Sequence, residues 1–230
     1  MTVSGDAQVA WSDIRAVVLD LDGTLYRQRP LRLGMATELA AGLLIGRVSL
    51  KTLRAILFFR QLRERLAEHE TQDAAWRQYV DTAKAFDLSP AEVRDIVAEW
   101  IQRRPLKYLS MSAIRPAKDF VLALKKRGFK TAVLSDYPTH AKLARLGIEV
   151  DAQGCTLDAE SSMLKPHPGA LLDMLRRLEV LPENTLVVGD RDRRDGEMAH
   201  RAGCAYHRAR SARCFRKLLA SLDQHHGAHA

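Results

Sequence analysis

The sequence predicts an α/β fold, a doubly wound parallel sheet carrying an inserted helical segment, on three observations. From residue 116 onward, short apolar runs alternate with amphipathic helical stretches. Three apolar runs along the chain end in polar, chemistry-bearing residues: 16–19 runs into Asp20 and Asp22, 131–134 into Ser135 and Asp136, and 185–189 into Asp190. Between the first and second of these lies a long stretch, 27–104, whose signals are helical. A chain of 230 residues has room for one α/β core plus such an insertion. The expected division is therefore a core formed by 1–26 and 105–230, with 27–104 as a helical cap.

In chain order, the first strand spans 16–19. Inside the insertion, Ser49 caps a helix with Leu50, Leu53, Leu57, Leu62 and Leu66 near one face, and Thr71 precedes a second helix carrying Trp76, Tyr79, Val80 and Ala83. Ser89-Pro90-Ala91-Glu92 forms a capping box with proline in the first turn, ahead of Val93, Ile96, Val97 and Trp100. Arg103-Arg104-Pro105 reads as a helix stop or hinge. These stripes are those of a small bundle core. Beyond them come a helix over 117–127 stopped by Gly128, a strand over 131–134, a helix over 139–146 ending at Gly147, and a weaker strand around 153–157. Lys165-Pro166-His167-Pro168 opens a helix over 171–178, and the strand at 185–189 follows. A helix over 197–202 meets Gly203 before a short strand at 204–207 and a helix over 212–222. The tail with His225, His226 and His229 reads as a disordered end, with adventitious metal binding the alternative.

Apolar content of 47% and charged content of 28% are those of a folded, soluble domain. Thirty-six Lys and Arg against 28 Asp and Glu leave +8, which favours anionic partners. The basic residues are scattered and lack the aromatic interleaving of single-strand binders, so no specific nucleic-acid partner is expected. Cys155, Cys204 and Cys214 are odd in number and lack zinc-site or disulfide spacing. Residues 1–10 show no secretory pattern, and the most apolar region, 39–59, is broken by Arg47, Lys51 and Arg54. The expectation is a cytoplasmic protein without a transmembrane segment, of undetermined oligomeric state.

Alternation places the Asp20 and Asp22 side chains on one side of an extended chain, with Gly23 permitting a turn beyond the strand. Two carboxylates so close repel unless a cation lies between them or one holds a proton. Alone, the pattern fits a metal or phosphoryl-transfer site and a solvated turn about equally. The common position of Asp20, Asp22, Ser135 and Asp190 at strand ends, where doubly wound sheets bind their ligands, tips the balance towards chemistry.

The ordered set Asp20-Leu21-Asp22-Gly23-Thr24, Ser135, Lys165 and Gly189-Asp190 with Asp195 resembles the haloacid dehalogenase-like hydrolase superfamily, on its phosphatase side, over about residues 15–207. The resemblance implies Asp20 as the nucleophile that forms an aspartyl-phosphate, and Asp22 as the acid that protonates the leaving oxygen and then activates water. It implies that backbone N–H groups of Leu21 and Asp22, with Thr24, Ser135, Asp136 and Lys165, hold the phosphoryl oxygens. Mg2+ would bind Asp20, the Asp22 carbonyl and Asp190. Asp195 is the further acidic residue that family spacing permits, with Asp192 as the alternative or as an arginine's partner. Arg191, Arg193 and Arg194 read either as an anion-binding group or as a solvated loop. The implied activity is hydrolysis of a small or medium phosphate monoester. A phosphomutase, a nucleic-acid end phosphatase and a non-catalytic anion-binding module stand as alternatives, whereas Asp22 argues against dehalogenation, which needs no acid.

Overall fold

In the computed structural model the described residues are 9–159 and 162–227. The expected tail residue His229 lies outside them, while His225 belongs to the last helix. Strand β1 (Ala16–Leu19) is followed by five helices: α1 (Gln28–Leu44), α2 (Leu50–Glu68), α3 (Ala74–Phe86), α4 (Pro90–Val97) and α5 (Leu106–Ser112). A π-helical turn at Ala98–Arg103 links the last two. Alternating elements then follow: α6 (Arg115–Lys126), β2 (Lys130–Ser135), α7 (His140–Leu146), β3 (Ala152–Cys155), α8 (Gly169–Leu178), β4 (Thr185–Gly189), α9 (Glu197–Ala202), β5 (Ala205–Arg208) and α10 (Ala212–Gly227).

All five strands are parallel, in the order β3-β2-β1-β4-β5. The chain winds from β1 out to β3 and then crosses to β4, so the direction of winding switches between β1 and β4. Ligands of such sheets bind beyond the strand ends at that point. The period-two alternation of β1 explains the three layers. Val17 and Leu19 pack with Phe120 and Leu124 of α6 and Phe215 and Leu218 of α10. Val18 joins Leu134 and Val187 against Leu171 and Leu175 of α8 and Met198 of α9. The buried apolar faces supply the main stabilisation, at about 25 cal/mol per Å² of apolar surface removed from water.

The helical segment departs from the sequence reading in register. Leu50 and Leu57 are exposed, and the buried face of α2 instead runs through Ala55, Ile56, Phe59, Leu62, Arg63 and Leu66. Trp76 is likewise exposed, and α3 buries Ala74, Gln78, Thr82 and Ala83. Apolar side chains occur on more than one face of these helices, and packing against neighbouring helices decides which face is buried. The capping box at Ser89 and Glu92 forms in full. The helical run stops at Arg103, where the Arg103-Arg104-Pro105 stretch placed a stop or hinge, and Pro105 caps the next helix, α5, whose Tyr108 ring fills the space beside Gly34 of α1. Among the described residues, no helix is long and apolar enough to cross a membrane.

Candidate active site

Asp20 extends the ladder of β1, its N–H donating to the Val188 carbonyl at 2.8 Å. The chain then turns sharply, with Leu25 N–H donating to the Leu21 carbonyl at 3.1 Å. Gly23 takes φ +111°, where a Cβ is penalised, and a Cβ there would meet the Asp190 carboxylate at 2.5 Å. The turn sends both Asp20 and Asp22 into one cavity and buries Leu21 completely. Thr24, also fully buried, donates its hydroxyl to Asp20 Oδ2 at 3.0 Å and so fixes that carboxylate.

The two aspartates sit in opposite electrostatic settings. Burial raises the Asp20 carboxyl to about 7; Lys165 opposes this, while Asp195 and Asp22 add to it. Burial acts on Asp22 too, but Lys142, Tyr26 and Ser135 outweigh it and hold the carboxyl below its usual value. Ser135 Oγ donates to Asp22 Oδ2 at 2.7 Å, and Lys142 Nζ and the Tyr26 hydroxyl both donate to Oδ1. Ser135 Oγ also accepts the Tyr137 N–H at 3.1 Å.

Lys165 is the hub on the other side. Its buried ammonium donates to Asp20 Oδ1 at 2.7 Å, Asp195 Oδ1 at 2.8 Å and the Leu134 carbonyl at 2.8 Å. Three donors meet three acceptors, which is how a buried ammonium is stabilised. Asp195 reaches this place because Gly189 has no side chain: a Cβ there would lie 2.5 Å from Asp195 Cβ. The Arg191 N–H holds the other Asp195 oxygen at 3.1 Å.

Asp20, Asp190 and Asp195 each offer a carboxylate oxygen within 4.8 Å of the others. Burial, with Asp195 adding to it, lifts the Asp190 carboxyl to about 6. A buried cluster of hard oxygen donors short of positive charge fits a Mg2+ ion. The Asp22 carbonyl, assigned to the metal by resemblance, accepts from Gln28 Nε2. Asp192 turns away from the cluster: its carboxylate accepts from Arg208 at 2.8 Å and from the Tyr206 hydroxyl at 3.2 Å.

Comparison with known proteins agrees with this geometry. The profile of haloacid dehalogenase-like hydrolases matches residues 14–203. The chain belongs to that family. A glyceraldehyde 3-phosphate phosphatase from Methanopyrus kandleri is 26% identical over 198 residues, covering 83% of this chain and 81% of its own length. A HAD phosphatase from Thermococcus onnurineus superposes with a TM-score of 0.59 at 20% identity, covering 90% of this chain and 99% of that one. A β-phosphoglucomutase from Clostridium difficile gives 0.59 at 16% identity, with 92% and 98% covered. At these identities the structural likenesses establish the fold.

Several residues of the hydrolase site escaped the sequence reading. Lys142 is buried in α7, with its Nζ 5.2 Å from the Tyr137 ring centroid and 5.9 Å from that of Tyr26. Its signal was position alone, in the first turn of the helix after the Ser135 strand. Arg63 is buried in α2 and donates to the Asp136 carbonyl. The Asp136 carboxylate itself points into the protein, accepting from Thr156 Oγ1 at 2.8 Å and from the Lys165 N–H at 3.1 Å. It thereby ties the Lys165 loop to the end of β2. The arginine-rich loop is mixed: Arg194 is buried and donates to the Lys165 carbonyl at 2.7 Å and to Glu64 Oε2 at 2.7 Å, Arg191 lines the cavity and reaches Glu64 at 3.2 Å, and Arg193 is exposed.

Above this floor lies a cavity of about 410 Å³, walled by Leu31, Met35, Ile56 and Trp100 together with Gln28, Arg32, Arg60 and Arg63. The volume suits a small organic molecule.

Proposed function

We propose that this hydrolase is a Mg2+-dependent phosphomonoesterase working through an aspartyl-phosphate on Asp20, with α1–α4 acting as a cap over a small or medium substrate. The observation that carries the reading is the contrast between the two aspartates. Asp20 shares its oxygens with Lys165 and Thr24 on the acidic side, while Asp22 is held by Ser135, Lys142 and Tyr26. Divided labour requires such a pair, one carboxylate to attack phosphorus and another to move protons.

Thr24 and Lys165 orient the Asp20 carboxylate for attack, and Lys165 offsets charge on the phosphoryl oxygens. Ser135 and the backbone N–H groups of Leu21 and Asp22 hold those oxygens. A dianionic phosphoryl group beside Asp22 restores its proton affinity, so that it can protonate the leaving oxygen and later take a proton from water. Asp20, Asp190 and Asp195 would hold Mg2+, which supplies charge neutralisation to the transferring group. The similarity to the glyceraldehyde 3-phosphate phosphatase of Methanopyrus kandleri supports ester hydrolysis as the outcome.

The test is phosphate release from p-nitrophenyl phosphate with Mg2+, which Asp20→Asn abolishes. Asp22→Asn retains an acid-stable phosphoryl label on the protein with turnover blocked. Full activity in the Asp20 variant overturns the nucleophile assignment. Isomerisation of sugar phosphates without phosphate release points to a mutase instead.

A further inference from the structure

On the cap wall of the cavity Arg63 carries a buried positive charge that no carboxylate among the described residues pairs with. Arg63 is 7% exposed, and a guanidinium cannot shed its proton. Its Nη1 donates to the Asp136 carbonyl and its Cζ stands 3.8 Å from the Tyr137 ring centroid and 5.9 Å from that of Phe59. Its Nε is buried without a hydrogen-bond partner, and no carboxylate among the described residues pairs with it. A carbonyl and two ring faces compensate a buried cation only in part. Arg60, three residues earlier on the same side of α2, and Arg32 of α1 line the same cavity from exposed positions, and Arg32 donates to the Gln28 amide oxygen.

On the catalytic floor, in contrast, the cations are held in ion pairs. Lys165 serves Asp20 and Asp195, Lys142 serves Asp22, and Arg191 and Arg194 reach across to Glu64 of α2. The phosphoryl group belongs to that floor. The excess of guanidinium therefore lies where the organic part of a substrate would sit.

We propose that Arg63, with Arg60 and Arg32 beside it, binds a second anionic group on the substrate, so that the preferred esters carry a carboxylate or another phosphate in addition to the phosphoryl group that is cleaved. This inference rests on the phosphomonoesterase reading. Guanidinium suits both anions, because its planar donors match two oxygens at once.

Paired esters test it. Phosphate release with Mg2+ is measured for 3-phosphoglycerate against glycerol 3-phosphate, and for fructose 1,6-bisphosphate against fructose 6-phosphate. The wild-type enzyme prefers the more anionic member of at least one pair by about tenfold or more in kcat/KM, the size of one charge-assisted hydrogen bond. The first pair reports a carboxylate and the second a phosphate. Arg63→Met collapses that ratio towards one, chiefly through KM of the anionic member, and Arg63→Lys restores part of it. The exposed-site variant Arg60→Met lowers the ratio less and serves if Arg63→Met does not fold. A wild-type ratio of one or below in both pairs overturns the proposal, as does an Arg63 or Arg60 series that slows both members of a pair equally. Release from none of the esters, p-nitrophenyl phosphate included, instead overturns the phosphomonoesterase reading on which it stands.

Discussion

Replacing Lys165 by methionine keeps an unbranched apolar stem, one atom shorter, and removes the charge that bridges Asp20 and Asp195. In the wild type its ammonium spans Asp20 and Asp195 at 2.7 and 2.8 Å, with all three groups buried. Removing one member of a buried ion pair costs about 3–5 kcal/mol, because the remaining charge stays buried without compensation. For a chain of this size that is a fall in melting temperature of about 6–20 °C. The loss must depend on pH. The Asp20 carboxyl stands at about 7 with Lys165 present, and without it rises further above the unfolded value of about 4. An acid whose folded value is raised is stable when protonated and loses stability as pH climbs from the unfolded value through the folded one. Urea unfolding of the metal-free variant therefore shows a small deficit against wild type at pH 5 and the full deficit at pH 8. Equal deficits at both pH values would refute a charge-based role and reduce Lys165 to a packing element.

The same linkage acts on the wild type: metal-free protein loses stability between about pH 4 and 7 as Asp20 ionises, and Mg2+ raises the melting temperature more at pH 8 than at pH 5. A Mg2+ shift independent of pH would count against a site on the acidic cluster. Gly23→Ala forces a Cβ to within 2.5 Å of Asp190 at φ +111° and costs about 1–3 kcal/mol of backbone strain. Calorimetry should show weakened Mg2+ binding, and unchanged affinity would mean that Asp190 does not serve the ion. Glu64→Gln leaves Arg194 and Arg191 without a countercharge and lowers stability by about 1 kcal/mol. In a double-mutant cycle with Arg194→Met the two losses are non-additive, and simple additivity would dissolve that link.

The middle of the sheet was readable because β1, β2 and β4 are short apolar runs leading into polar residues, a pattern that follows directly from burial on both faces, whereas the edge strands β3 and β5 are half exposed and mixed in composition. The same logic brought Asp20, Ser135 and Asp190 to one place, since parallel strands present the same end to the same side. Lys165 and Asp195 lie on loops, and only their order along the chain singled them out. Arg63 and Lys142 were harder. Each reaches the cavity from a helix, where a basic residue among apolar ones looks like a solvated flank until the register is known. In hindsight Arg63 did carry a signal, because it lies between Leu62 and Leu66 on a stripe that had to be buried. The exposure of Leu50, Leu57 and Trp76 has the same origin: helix periodicity fixes which residues share a face, while the neighbours decide which face goes inward.

One turn of α2 touches both loops that flank β1: Arg63 bonds to Asp136 after β2, and its neighbour Glu64 bonds to Arg191 and Arg194 after β4. Two adjacent residues thus form a joint between separately encoded parts of the chain. A chimera that grafts a helical segment from another relative onto this sheet, in order to change substrate range, would have to transplant or rebuild both halves of that joint. A graft lacking the acid at position 64 leaves Arg194 unanswered beneath it, and one lacking the base at 63 frees the loop after Ser135. The helical segment of this hydrolase is therefore exchangeable only together with the contacts that seat it.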